Sequence, residues 1–272
     1  MLNQFAALDI HISLASEGLF KIGGFTVTNS MFTGAISLVI FLAVFFYVAY
    51  MVKKGKYNRF VGLIQWAFEG MYSQIHAIIP DPVLARRIAP LAITLFFYVL
   101  ISYWMSVMPG LDSITYNGTP ILRSITADLN FTFAISIIAL VIVQVYAIRQ
   151  HGQLGNLKRY LKNPLKDPIG AFEGVLELIG EMSRYSSLSL RLFGNCFAGE
   201  ILLVIMAVLT GYFAAVALPI FMAFELFIGF IQAYVFFILT VIFTSLALEG
   251  HGDDHSKEHS PTVPAHALAS RE

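Results

Sequence analysis

Apolar residues run along this chain in long unbroken blocks, separated by short polar and often basic segments. Residues 31–52 (MFTGAISLVIFLAVFFYVAYMV) carry no charge, residues 88–108 (IAPLAITLFFYVLISYWMSVM) form a second block, and residues 129–148 (LNFTFAISIIALVIVQVYAI) a third. Crossing a bilayer as a helix takes about 20 mostly apolar residues, so each block predicts one spanning helix. The blocks lack the alternation of barrel strands. The C-terminal part departs from this rhythm. Residues 170–212 are apolar but interrupted by charges, and 213–248 follow as another overlong run. As one helix, 170–212 would be about 65 Å long, against a hydrocarbon core of about 30 Å. Tilt rarely exceeds about 40°. The last two helices are therefore expected to be strongly tilted, or broken at Gly194, Gly199, Gly211 or Pro219. The fold class is an all-α integral membrane protein of about five crossing helices, near 31–52, 88–108, 129–148, 170–212 and 213–248.

Composition agrees. The 272 residues are 57% hydrophobic and 12% charged, with a mean hydropathy of +0.74. Soluble domains carry about 25% charged residues, so this chain lacks the means to cover a water-facing surface. A formal net charge of +0 and the lack of a basic motif give no reason to expect nucleic acid as a partner. The single Cys196 cannot form an internal disulfide. Residues 1–30 read as an extracytoplasmic segment without the basic and apolar regions of a cleavable signal, leaving the first span as the insertion signal.

Lysine and arginine in short loops set the orientation. Residues 53–87 hold Lys53, Lys54, Lys56, Arg59, Arg86 and Arg87, and residues 149–169 hold Arg149, Lys158, Arg159, Lys162 and Lys166. Between them, 109–128 holds only Arg123. The first two loops should be cytoplasmic, which places the N-terminus outside and the C-terminus inside. No internal repeat of the kind found in many transporters is evident. The tail 249–272 is polar and expected to be disordered. Its His251, His255 and His259 recur every four residues, as metal ligands on a helix would, but a solvated extension is the simpler reading.

The charges inside 170–212 are the candidate chemistry. On a helical wheel, Glu173 and Arg184 fall nearly in line with Arg191, Glu177 and Asn195 slightly to one side of it, and Ser187 slightly to the other. Glu200 falls on the opposite face. One narrow polar stripe thus crosses an apolar helix, where a central charge costs about 2.5–3.5 kcal/mol on insertion scales. Groups at the ends of the stripe can snorkel; Arg191 is flanked by Leu188, Leu190, Leu192 and Phe193. Either it pairs internally with Glu200 or Glu225, or it is offered to a group outside the chain or to a water-filled path. Arginine stays protonated where a buried lysine can discharge, and a fixed cation favours the ionised form of a facing carboxylate. Glu225 and Gln232 are seven residues apart and share a helix face. Asp128 and Asn130 open the third span, where Asp128 can equally serve as a helix N-cap, and Gln232 can simply bond helix to helix. Intramembrane carboxylates such as Glu225 commonly relay protons or ions.

The stretch SLSLRLFGNCFAGE (187–200), with its central arginine, Phe-Gly-Asn and Ala-Gly-Glu, resembles the signature of subunit a of the F-type ATP synthase. FIGFIQAYVFFILTVIF resembles that family's last helix, and TADLNFTF the start of its third span. The resemblance covers roughly 90–272 well and the N-terminal third loosely. It implies a non-catalytic membrane stator with no cofactor, beside a rotating ring of small c-type hairpin subunits, wrapped by two long tilted helices. A b-type peripheral stalk subunit, the rest of the complex and the lipid bilayer are the other implied partners. Two offset half-channels would join the ring's carboxylates to opposite sides of the membrane. By resemblance, Arg191 faces the ring, with Asn195 and Gln232 as polar neighbours. Glu200, Glu225, Asp128 and Asn130 serve entry from outside, and Glu177 and Ser187 serve the cytoplasmic exit. Familiar bacterial members carry histidine where this chain has Glu225, and no histidine lies in the last two helices, so a relay would run on carboxylates and water. The implied location is a bacterial plasma membrane rather than the mitochondrial inner membrane. Two other readings predict different features. An ion-coupled secondary transporter predicts inverted repeats and a solute site. A structural scaffold predicts an internally paired Arg191.

Overall fold

The computed structural model describes residues 16–108, 115–116, 119–151 and 168–248. The tail with His251, His255 and His259, residues 1–15 and most of the basic loop before residue 168 lie outside the described residues. A short antiparallel hairpin, β1 (Gly18–Ile22) and β2 (Phe25–Thr28), leads into helix α1 (Asn29–Lys53). Helices α2 (Arg59–Ile78) and α3 (Pro82–Ser106) follow, then a two-residue hairpin of β3 (Thr115–Tyr116) and β4 (Thr119–Pro120). The chain continues through α4 (Leu129–His151), α5 (Pro168–Thr210), a 3-10 turn (Gly211–Phe213) and α6 (Ala214–Leu248). The long apolar helices agree with an all-α membrane protein. Those long and apolar enough to cross a membrane are α1, α3, α4 and the continuous stretch Ile169–Leu248 that holds α5 and α6.

Most of the suggested breaks in the two overlong segments do not occur. Helix α5 runs unbroken through Gly194 and Gly199, and α6 through Pro219. The α-helical run is interrupted only at Gly211, whose φ of 50° is a left-handed conformation that glycine adopts without a Cβ clash. With 43 and 35 residues, these helices are about 65 and 52 Å long. A ~30 Å core accommodates such rods only when they tilt strongly or project from it.

Capping moves one boundary. Asp81 accepts a hydrogen bond from the Val83 amide at 2.9 Å, and Pro82 suits the first turn, so α3 starts before the apolar block. Arg86 and Arg87 therefore lie on its first turns rather than in a loop. One helix was hidden altogether. Within the basic segment 53–87, α2 buries Val61, Ile64, Met71 and Ile75 along one face and leaves Leu63 and Trp66 exposed. Loop charge alone did not reveal that helical periodicity.

Helix α3 packs most extensively on α6, α4 on α5, and α5 and α4 on α6, while α1 and α2 pack on α3 and α2 also touches α6. The centre is aromatic: Phe68 stacks on Phe97 with centroids 5.6 Å apart, and Phe96 meets Phe237 edge-on at 6.3 Å. This packing holds α6 against both α3 and α5 and so places their polar residues.

Candidate functional site

The polar stripe of α5 is an exposed face. Arg184, Ser187, Arg191 and Asn195 are all exposed, and so are Leu190, Gly194 and Ala198 between them. Arg191 has no hydrogen-bond or ion-pair partner among the described residues. Glu173 is also exposed, near the start of the helix, and Glu177 is half-buried. One turn beyond Arg191, Asn195 Nδ2 donates to Gln232 Oε1 of α6 at 2.9 Å. Gln232 is otherwise buried, and its Nε2 has no partner. A fixed cation and two amides thus share one small area.

Glu225 sits in the opposite kind of place. It is 4% exposed and accepts a hydrogen bond from the Tyr103 hydroxyl of α3 at 2.5 Å. It fits because two glycines leave room. A Cβ at Gly199 of α5 would collide with the Glu225 carboxylate, and a Cβ at Gly229 would collide with the Tyr103 ring. Glu200, next to Gly199, is half-buried and within electrostatic reach of Tyr103 and Cys196. The helical phase separates Glu200 from Arg191. The fold then brings Glu200 and Glu225 into one region, which the phase of either helix alone does not reveal.

At the start of α4, Asp128 is the N-cap: its Oδ1 accepts from the Asn130 amide at 2.9 Å, and its Oδ2 from Ser30 Oγ of α1 at 2.5 Å. Asn130 itself is exposed. The segment before it folds inward, burying Ser124, Ile125, Thr126 and Ala127. Cys196 Sγ lies 3.1 Å from Ser124 Oγ and 2.9 Å from Thr126 Oγ1, and Thr126 is 2.9 Å from Ser106 Oγ. These small polar groups tie the loop to α5 and α3. Among the described residues the hydrogen-bond partner of Glu225 is Tyr103, and neither Asp128 nor Asn130 bonds to it.

Towards the start of α5, Glu177, Glu181, Arg184, Tyr185 and Phe243 line a small cleft. The Arg184 guanidinium stands 5.5 Å from the centroid of the Phe243 ring. Gln144 of α4 donates to Glu181. Ser187 lies one turn further along the exposed face.

This geometry corrects one reading. Neither glutamate named as an internal partner holds Arg191, since Arg191 is exposed without a partner among the described residues and Glu225 bonds to Tyr103. Sequence reasoning missed Tyr103, Glu181, Gln144 and Ser30. Glu181 had a signal, since Glu173, Glu177 and Glu181 recur at four-residue spacing. Tyr103 had none, because it meets a residue 122 positions away. Among the described residues no group of three or more His, Cys, Asp or Glu could hold a metal.

A fixed cation on an open helix face, with one buried and one half-buried carboxylate nearby and an acid-lined cleft further along, is suited to handing protons on rather than to bond chemistry. Comparison with known proteins points the same way. The family described as ATP synthase A chain matches residues 31–245. ATP synthase subunit a of Mycobacterium ulcerans is 32% identical over 232 residues, 84% of this chain and 90% of that protein. That of Mycobacterium leprae is 34% identical over 235 residues, 83% of this chain and 89% of its own. That of Coxiella burnetii is 32% identical over 239 residues, 85% and 89% respectively. The chain belongs to the ATP synthase A chain family.

Proposed function

We propose a proton path built on the three polar regions of this subunit. The chain is the proton-translocating membrane stator subunit of an F-type ATP synthase, non-catalytic by itself and a member of the ATP synthase complex. In the proposed path, a ring of small c-type subunits passes along the exposed face of α5, and a b-type stalk subunit holds this chain still against it. Protons enter from outside past Asp128 and Asn130, reach Glu200 and Glu225, and load a ring carboxylate. They leave to the cytoplasm past Ser187 and Glu177.

Arg191 separates the two half-channels. As a ring carboxylate comes opposite the guanidinium, the fixed positive charge favours its ionised form, so it gives up its proton on the exit side and is reloaded on the entry side. The guanidinium itself stays protonated, so it offers no site at which a proton can cross directly. Each charge that leaked through would dissipate about 2.3 kcal/mol per 100 mV. Asn195 and Gln232 line the same passage, joined by the Asn195 Nδ2 to Gln232 Oε1 hydrogen bond.

The observation that carries this reading is the exposed Arg191 without a partner among the described residues, midway along a helix too long to stand upright in a bilayer. The orientation proposed from loop charge puts the N-terminus outside and the tail in the cytoplasm. Relatives from Mycobacterium and Coxiella support a bacterial plasma membrane. The test is ATP-driven acidification of inverted vesicles carrying Arg191→Ala. Loss of acidification is expected, and full retention would contradict the role of Arg191.

A further inference from the structure

Tyr103 is one of the largest fully buried side chains among the described residues, and its hydroxyl is the one polar atom among them bonded to Glu225. The ring of Tyr103 lies over the bare backbone of Gly229 on α6, and the carboxylate it holds lies over the bare backbone of Gly199 on α5. Tyr103 and Glu225 therefore fill the space left by two glycines on two different helices. Next to this packing, Trp104 Nε1 donates to the Leu226 carbonyl at 3.1 Å, which ties the C-terminal end of α3 to the turn that carries Glu225. Core packing alone would be served as well by phenylalanine at position 103. A tyrosine there supplies a donor, and burial makes that donor consequential: a buried carboxylate without a hydrogen bond is costly, and a charge-assisted O–H···O bond is short and directional.

We propose that Tyr103 is the positioning residue of the entry half-channel, clamping the Glu225 carboxylate between α3 and Gly199, the residue that precedes Glu200. This rests on the reading of Glu225 as an entry carboxylate. The clamp fixes which way Glu225 faces when it is ionised. It also couples α3, which does not touch the ring in the proposed path, to the rate at which the ring is loaded. The other titratable groups near Tyr103 are Glu200 and Cys196, both on α5. No ionisable side chain of α2 or α4, which also pack on α6, bonds to Glu225.

The test compares Tyr103→Phe, Glu225→Gln and the double variant in the assembled complex. The readouts are passive proton flux through the membrane sector and the dependence of ATP synthesis on the pH of the entry side. Tyr103→Phe keeps the ring and loses only the hydroxyl. It should lower flux about 5- to 10-fold and displace the pH profile by about one unit, the scale of one hydrogen bond to a charged group. The double variant should be no slower than Glu225→Gln alone, because the hydroxyl acts through that carboxylate. Wild-type flux and an unmoved profile in Tyr103→Phe, with Glu225→Gln impaired, would overturn the proposal. So would additive losses in the double variant. Wild-type behaviour of Glu225→Gln would instead overturn the entry role of Glu225 itself.

Discussion

Arg191 and Glu225 lie on adjoining helices of the same bundle, yet the protein treats them in opposite ways. Arg191 stands on an exposed face of α5 and has no partner among the described residues, whereas Glu225 is buried, hydrogen-bonded by Tyr103 and seated against Gly199. A chain that used both charges for its own stability would pair them, because removing one partner of a buried pair is costly and a matched pair limits that cost. This chain instead gives the acid a neutral donor and leaves the base on its surface. The difference supports the proposed external partner for Arg191, while Glu225 has its hydrogen bond within the described residues.

Four perturbations break or sharpen that contrast, from the largest expected effect to the smallest. Removing the open charge should matter most. Arg191→Ala should abolish coupled transport and raise passive proton conductance through the membrane sector, measured as dye-reported acidification of vesicles stripped of the catalytic head. A sealed, non-conducting sector would mean that Arg191 is no barrier. Removing both entry carboxylates should be next. Glu200→Gln combined with Glu225→Gln should slow passive flux by about 100-fold or more, the scale on which positioned proton-transfer groups contribute, and unchanged flux would remove them from the path. Third is the glycine gap. Gly199→Val places a side chain where the Glu225 carboxylate lies and should cut flux several-fold; normal flux would show that the close approach is dispensable. Smallest is the tie at the start of α4. Ser30→Ala removes the bond to Asp128 and should cost about 1 kcal/mol of stability, read as a lowered thermal midpoint in detergent, with transport nearly unchanged.

The parts of the molecule that could be read from sequence are those set by local period. The spans α1, α3 and α4 followed from apolar length, and the stripe from Arg184 to Asn195 followed from helical phase, because both properties repeat every few residues. The opposition of Glu200 to Arg191 was legible for the same reason. The Glu225 clamp was not, because Tyr103, Gly199 and Glu225 come from three helices and nothing local to any of them records the others. Helix α2 escaped because its basic flanks dominated the reading of residues 53–87, while its buried stripe of Val61, Ile64, Met71 and Ile75 went unread. Gly194, Gly199 and Pro219 suggested breaks. The helices run through all three, and at Gly199 the missing side chain is used as space.

The most direct test of an external partner for Arg191 is cross-linking within the assembled complex. In a background with Cys196→Ser, the only native cysteine of the chain is removed. Ser187→Cys, exposed one turn from Arg191, is then oxidised against single cysteines placed beside the ring carboxylate, with Glu225→Cys as the buried comparison. A disulfide from position 187 to the ring, and none from position 225, is the predicted result. Cross-linking from 225 but not from 187 would contradict the account, because the buried side of α5 and α6 would then be the one that meets the ring.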